Sequence, residues 1–377
     1  MPQPHYTHER NYGCRITEVI YRGPRSVTLE NEIIRVSFLA DKGSDIFEFL
    51  HKPSDTDFMW RSPLGVRNPA TFVPTIPRPE GAFLDYYEGG WQECLSTGGN
   101  SAAYAGATFG PHGEVCLIPW DYTILEDEPE RVRVRFRVRT YRTPFLLEKT
   151  VTIERRVGVL GFAERLVNEG AVPMDLMWGH HPAFGPPFLD ESCLIDLPGA
   201  TAQAVGLGET SRCQPGEGFA WPLIPGRDGR VIDLSCIPPA ATRSHDLALL
   251  TDLTSGWYAV TNTARRVGFS MVWPVETFPA LWFWQVYGGA LGQPWYGRTY
   301  NIALEPWTTP HQTITEAMEH GTDRVLAPGE ALAVEFKAVA YAGFSRVSNI
   351  LLNGRIEGET NGEERGVARR TERADRG

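Results

Sequence analysis

The sequence predicts an all-β protein, a large antiparallel β-sandwich or barrel. Three observations carry that reading. Apolar and polar residues alternate with period two along much of the chain. Turn formers interrupt the alternation throughout, with 38 glycines and 29 prolines in 377 residues. Helical periodicity is almost absent. Many short alternating segments punctuated by turns is the pattern of stacked antiparallel sheets.

The elements follow in order. ENEIIRVSFLADKG (30–43) alternates and then breaks at Gly43. RVRVRFRVRT (131–140) puts Arg131, Arg133, Arg135, Arg137 and Arg139 on one face and Val132, Val134, Phe136 and Val138 on the other. That is a half-buried strand whose cationic face meets solvent and the acidic side chains of neighbouring strands. FLLEKTVTIERR (145–156), GFAERLVNEG (161–170) and VPMDLMWGHH (172–181) read as successive strands, with turns at Gly158 and at Asn168-Glu169-Gly170. LALLTD (247–252), GWYAVTN (256–262), VGFSMVW (267–273), ALWFWQVY (280–287), TYNIALEPW (299–307) and ALAVEFKAVAY (331–341) complete the series. TPHQTITEAMEHG (309–321) is the best helix candidate, a short surface element. No composition shift marks a linker, so residues 1–350 are expected to form one sandwich domain. Residues 351–377 are charged, glycine-rich and nearly free of large apolar side chains, and are expected to be a disordered tail.

Composition narrows the function classes. A net charge of −10 argues against nucleic acid, which needs a clustered basic surface. No apolar run reaches membrane-spanning length, and MPQPHYTHERNYGCR at the N-terminus lacks the apolar core of a signal peptide. Cys14, Cys94, Cys116, Cys193, Cys213 and Cys236 are dispersed without a CxxC or zinc spacing. They point to a reduced, cytoplasmic protein with no metal. Aromatic residues make up 11% of the chain, which suits strands and also suits stacking on sugar faces.

Five stretches are candidates for chemistry. In MWGHHPAFG (177–185), strand alternation turns His180 and His181 to opposite faces, and Pro182 is expected to end the pairing. In FGPHGEVCLIPW (109–120), His112 sits in a loop before an apolar strand, with Gly113 allowing close backbone approach. In NIALEPWTTP (301–310), Glu305 ends an apolar strand, where desolvation raises a carboxyl pKa and suits it to general-base work. In GGWQECLSTGGN (89–100), glycines flank Trp91 and Gln92, as in a loop that contacts a polyol. In ALWFWQVYGG (280–289), Trp282 and Trp284 share one face, either a core face or a stacking platform. Each has a bland alternative: a structural histidine, a salt-bridged rim glutamate, or a core tryptophan.

Together these pieces resemble the galactose mutarotase and aldose 1-epimerase superfamily, in a bacterial branch apart from its well-studied mutarotases. His112-Gly113 is similar to its HG motif, His181-Pro182-Ala183-Phe184 to its H-P-x-F motif, and Glu305 in ALEPWT to its late glutamate. LENEIIRVSFLADKGSDIFEF, LVNEGAVPMDLMWGHHPAF and VGFSMVWPVETFPALWFW extend the likeness over roughly residues 15–342. The family's early G-R-x-x-N-R stretch is missing, and Arg78 in PTIPRPEG is the nearest substitute. Asp252 in LLTDLTSGW is the nearest candidate for its substrate-binding aspartate.

The resemblance implies a mutarotase-like supersandwich and anomer interconversion of a cyclic sugar. Glu305 would be the base, His181 the acid, and His112 would share the acid role or bind the ring. Trp91, Gln92, Arg78, Asp252, Trp284 and His180 are the substrate-binding candidates. No cofactor is required, and the partner is a small-molecule sugar rather than nucleic acid or membrane. The alternative is a non-catalytic carbohydrate-binding or sensing protein on the same scaffold. A sugar isomerase or lyase would need a further base, a tyrosine or lysine, near the sugar.

Overall fold

Two antiparallel sheets stack face to face and bury the apolar sides of their strands against each other. The computed structural model describes residues 10–71 and 79–360. The larger sheet has twelve strands. Its central run is Asp45–His51, Trp91–Leu95, Trp178–Phe184, Tyr300–Trp307, Ala280–Tyr287 and Ser244–Thr251, in that spatial order. The other has eight, with Ala331–Ala342, Val159–Asn168, Phe145–Glu154 and Arg131–Arg139 side by side. Aromatic pairs bridge the layers, among them Trp91 with Phe162 at 5.1 Å and Phe38 with Phe136 at 5.0 Å between ring centres. Rings at that separation favour tilted contacts and fill the space between sheets efficiently.

The arginine-rich strand Arg131–Arg139 alternates buried and exposed residues as its sequence demands. Its outer face carries ion pairs from Arg131 to Glu126 (2.9 Å), Arg137 to Glu148 (3.6 Å) and Arg139 to Glu169 (2.7 Å). Like charges two residues apart are tolerated because neighbouring strands interleave carboxylates.

Several expectations need correction. The segment after His112 is a series of turns rather than a strand: Leu117 and Ile118 donate backbone hydrogen bonds back to Glu114. The stretch around Trp91 is a fully buried strand, Trp91–Leu95, and not a flexible loop. The expected tail contains the strand Ile356–Thr360, which pairs with Phe344–Ile350, so order extends past Asn353; residues 361–377 lie outside the described residues. The helix in 309–321 covers Ile314–Glu319, opened by a capping box between Thr313 and Glu316. The helix Pro79–Tyr86 is not signalled by any apolar periodicity. Among the described residues, no helix is long and apolar enough to cross a membrane.

Pro182 does not end its strand. Trp178–Phe184 runs through it in the centre of the sheet, flanked by Trp91–Leu95 and Tyr300–Trp307. The ladder to Tyr300–Trp307 is paired at Gly179–Trp307 and again at Ala183–Ala303, and open between. Proline supplies no N–H to a ladder, and the facing strand carries Pro306 in the same gap. The two prolines therefore loosen the ladder where the chemistry sits.

Candidate functional site

Register assembles the site. Gly179 opposite Trp307 and Ala183 opposite Ala303 fix a single register on both sides of the gap. That register sets His181 across from Glu305, on the same face. Glu305 in turn pairs with Trp282 on the next strand, and Trp284 pairs with Ala303. Strands remote in sequence thus deliver His181, Glu305, Trp282 and Trp284 to the outward face of the large sheet. Loops and the helix Pro79–Tyr86 cover that face, so that Glu305 is only 2% exposed.

His181 Nε2 lies 3.3 Å from Glu305 Oε1, and its Nδ1 lies 3.2 Å from the hydroxyl of Tyr87. Trp307 Nε1 donates to the other carboxyl oxygen, Glu305 Oε2, at 3.1 Å. Burial pushes the Glu305 carboxyl up to about 8 and His181 down to about 4. A low-dielectric site disfavours both charges, so near neutrality the pair is mainly a carboxylic acid beside a neutral imidazole. The Tyr87 phenol is itself held well above its usual range by burial. It remains a hydroxyl, and a hydroxyl can donate or accept. His181 can therefore carry its proton on either nitrogen without stranding the other.

His112 completes the cluster. Its ring lies 5.0 Å from that of His181, 4.4 Å from Phe83, and stacks on Trp307 at 6.0 Å. Burial drives its pKa well below 6.5, with His181 adding to the effect. The backbone at His112 is left-handed, φ 64°, a conformation costly for a residue with a side chain. Gly113 follows at φ 73°, where a Cβ would lie 1.8 Å from the Leu95 carbonyl oxygen. The loop is pinned against the sheet only because that residue is glycine. Gly179 has a similar role: a Cβ there would sit 2.3 Å from Trp307 Cδ2. Its absence lets Trp307 lie flat between His112 and Trp282, and the Trp307 and Trp282 rings stack at 4.5 Å.

These groups line a cavity of about 240 Å³ walled by Phe83, Leu84, Tyr87, Trp282, Trp284 and Trp295, with Asn100, Gln312 and His245 at its polar edge. That is below the roughly 300–1,000 Å³ of pockets for drug-sized ligands, and suits a smaller one.

Of the residues singled out from sequence, His112, His181, Glu305, Trp282 and Trp284 meet here. Others do not. His180 and Trp91 point to the opposite face, between the sheets, where Trp91 Nε1 donates to His180 Nδ1 at 3.3 Å. Gln92 lies across from His181 but is tied to the Gly89 carbonyl (2.6 Å) and Asp45 (3.2 Å), away from the cavity lining. Asp252 is exposed, just past the end of its strand, at φ 55°. Arg78 lies outside the described residues. Tyr87 and His245 were not anticipated. Tyr87 follows a helix that no periodicity marks. His245 precedes the apolar run of its strand, and only the period-two count from Leu247 and Leu249 would have put it on the cavity face.

Behind His181, His180 belongs to a separate buried network with Glu164 (3.2 Å), Glu93 and Lys149, the last two 3.1 Å apart. Glu93, Glu164 and His180 are spaced closely enough to be considered as metal ligands. The donor chemistry does not fit. Trp91 donates to Nδ1, so the neutral ring carries its proton on Nε2, the nitrogen that faces Glu164. The Lys149 ammonium already supplies the positive charge. Burial raises Glu164 to about 8 and lowers His180 to about 4, which describes a proton-bearing structural network.

A family model described as a domain of unknown function, DUF4432, matches residues 21–339. The chain belongs to the DUF4432 family. No curated protein matches its sequence. Solved structures place the DUF4432 fold among galactose mutarotase-like sandwiches. A Klebsiella pneumoniae protein, provisionally named an aldose 1-epimerase, superposes with a TM-score of 0.68 at 15% identity, over 86% of this chain and 83% of that one. A galactose mutarotase-like protein from Clostridium acetobutylicum superposes with a TM-score of 0.57 at 12% identity, covering 88% and 99%. A galactose mutarotase related enzyme from Lactobacillus acidophilus gives 0.55 at 16% identity, covering 84% and 97%. At such identities the likeness is one of fold.

Proposed function

We propose that the protein interconverts the anomers of a cyclic sugar by acid–base ring opening, an aldose 1-epimerase-like reaction. The observation that carries this reading is the proton chain Glu305–His181–Tyr87, with His112 beside it, inside a small aromatic cavity. Anomer exchange takes a proton from the anomeric hydroxyl and delivers one to the ring oxygen as the ring carbon–oxygen bond breaks. The open-chain carbonyl then rotates, and the steps reverse. The reactive form is the tautomer of the Glu305–His181 pair with its one shared proton on His181: Glu305 as carboxylate takes the first proton, and the His181 imidazolium, with His112 near the same oxygen, supplies the second. Because closing the ring exchanges acid and base roles, each group must be able to gain and lose a proton. A neutral pair that keeps one proton between two sites meets that demand, and each group contributes roughly 10²–10⁴-fold.

The aromatic walls favour the apolar faces of a pyranose, and the names of the structural neighbours support the same substrate class. A binding-only role would leave unexplained why a buried carboxyl is set against a histidine instead of a cation. The described cysteines stand unpaired, which supports a reducing, cytoplasmic setting. The test is one-dimensional proton NMR of anomer exchange for D-glucose, D-galactose, D-mannose, L-fucose and L-rhamnose. Acceleration of at least one sugar by the wild-type chain, lost in Glu305→Gln, is expected. Acceleration that survives Glu305→Gln removes Glu305 from the mechanism, and no acceleration of any sugar refutes the assignment.

A further inference from the structure

One wall of the cavity holds a histidine that the mechanism does not use. His245 lies on the strand Ser244–Thr251 and shares the cavity face with Leu247, while its neighbour Asp246 turns the other way. Asp246 is fully occupied there by Arg212 at 2.7 Å and Ser211 at 3.0 Å. His245 Nε2 accepts a hydrogen bond from the indole N–H of Trp284 at 2.8 Å. An indole nitrogen only donates, so this bond fixes the tautomer: a neutral ring must carry its proton on Nδ1. Burial lowers the pKa of His245 below 6.5, which keeps the ring neutral in the physiological range.

Of the other polar groups at the cavity, His112 has a buried Nδ1 without a partner among the described residues but sits at the catalytic end, while Asn100, Gln312, Tyr87 and Glu305 are engaged. Asn100 donates to Gln312 at 3.2 Å, Tyr87 is bound to His181, and Glu305 to His181 and Trp307. Among the described residues His245 Nδ1 has no protein partner, so the wall presents one oriented, uncharged N–H. Trp284 stands between His245 and His181, with ring centres 6.1 and 5.9 Å away. A ring stacked along Trp284 would therefore touch the catalytic pair at one end and His245 at the other.

We propose that His245 is a specificity-determining residue, whose Nδ1–H donates a hydrogen bond to one hydroxyl oxygen of the bound sugar, remote from the anomeric centre. This rests on the anomer-exchange reading of the site. A neutral donor on a fixed ring discriminates by position: the sugar isomer that places its hydroxyl there keeps the bond, and its epimer leaves the N–H unpaired.

The experiment compares wild type, His245→Phe and His245→Gln on whichever of the five sugars above is exchanged fastest, and on the monodeoxy analogues of that sugar. His245→Phe is expected to raise KM roughly 3- to 10-fold with kcat within twofold, the value of one neutral hydrogen bond. His245→Gln can offer its carbonyl to Trp284 and an N–H to the cavity, and recovers most of that loss. One deoxy analogue, and only one, should bind wild type and His245→Phe equally. Equal losses on every analogue, or an unchanged KM in a folded His245→Phe chain, overturn the proposal. If wild type exchanges none of the sugars, the proposed function fails separately. The His245 assignment is then read by calorimetric binding of the same five sugars to wild type and His245→Phe. Absence of binding, or equal binding by both chains, overturns it.

Discussion

Replacing Glu305 by glutamine probes the electrostatics of the site and its chemistry together. The carboxyl is 2% exposed and held at about 8, against an ordinary 4.5. A group whose folded pKa is raised contributes most below its unfolded pKa and loses that contribution as pH rises through the folded value. Between pH 6.5 and 9 the unfolded chain is ionised throughout, while the folded carboxyl has to give up its proton. At about 1.36 kcal/mol per pH unit, that window removes roughly 2 kcal/mol of stability from wild type. Glutamine has no proton to lose. Its carbonyl can still accept from Trp307 and its amide can still face His181. The melting temperature of Glu305→Gln relative to wild type should therefore climb across this window, by roughly 2–3 °C for a chain of this size. Glu164, also raised to about 8, is common to both chains and cancels in the difference. Anomer exchange by wild type needs the one proton shared by Glu305 and His181, so it should hold from pH 6.5 and fall as that proton is lost near pH 8, and Glu305→Gln should lose exchange by at least 10²-fold. A stability difference that stays flat from pH 6.5 to 9 would refute the raised pKa. A wild-type rate that climbs across that range would refute the shared proton as the source of the acid.

Three further outcomes follow from the geometry. His181→Ala should lower kcat by 10² or more with a small change in melting temperature; His180→Ala should leave kcat near wild type but cost roughly 2–4 kcal/mol, because Trp91 and Glu164 lose their buried partner. Equal losses of activity in both would contradict the placement of the two rings on opposite faces, as chemical denaturation and NMR exchange rates would reveal. Tyr87→Phe should reduce kcat roughly 10-fold at constant KM, since it removes only the hydroxyl that partners His181 Nδ1; an unchanged kcat would take Tyr87 out of the proton chain. Gly179→Ala should disturb the Trp282–Trp307 stack, visible in near-ultraviolet circular dichroism, and weaken exchange through Glu305; an unchanged spectrum would mean Trp307 yields to the added methyl without cost.

The local alternation of the sequence determined the class of fold, the strands, and the fact that His180 and His181 face apart, because side chains on a strand have only two directions. The same pattern put Trp282 and Trp284 together on one face. It could not say which face looks into the sandwich and which looks out, nor which strands lie side by side. Strands Trp91–Leu95, Trp178–Phe184 and Tyr300–Trp307 are neighbours only in the folded sheet. That is why Trp91 and Gln92 read as a sugar-contacting loop and proved to be a buried strand. It is also why Asp252 fell outside while His245, six residues after Pro239, came in. Long-range register, a nonlocal outcome of packing, set His181 against Glu305. Burial by loops from elsewhere in the chain then gave that pair its proton chemistry. The residue types were chosen locally; their pKa values and their partners were decided by the tertiary structure, since desolvation and charge proximity exist only once the chain has folded.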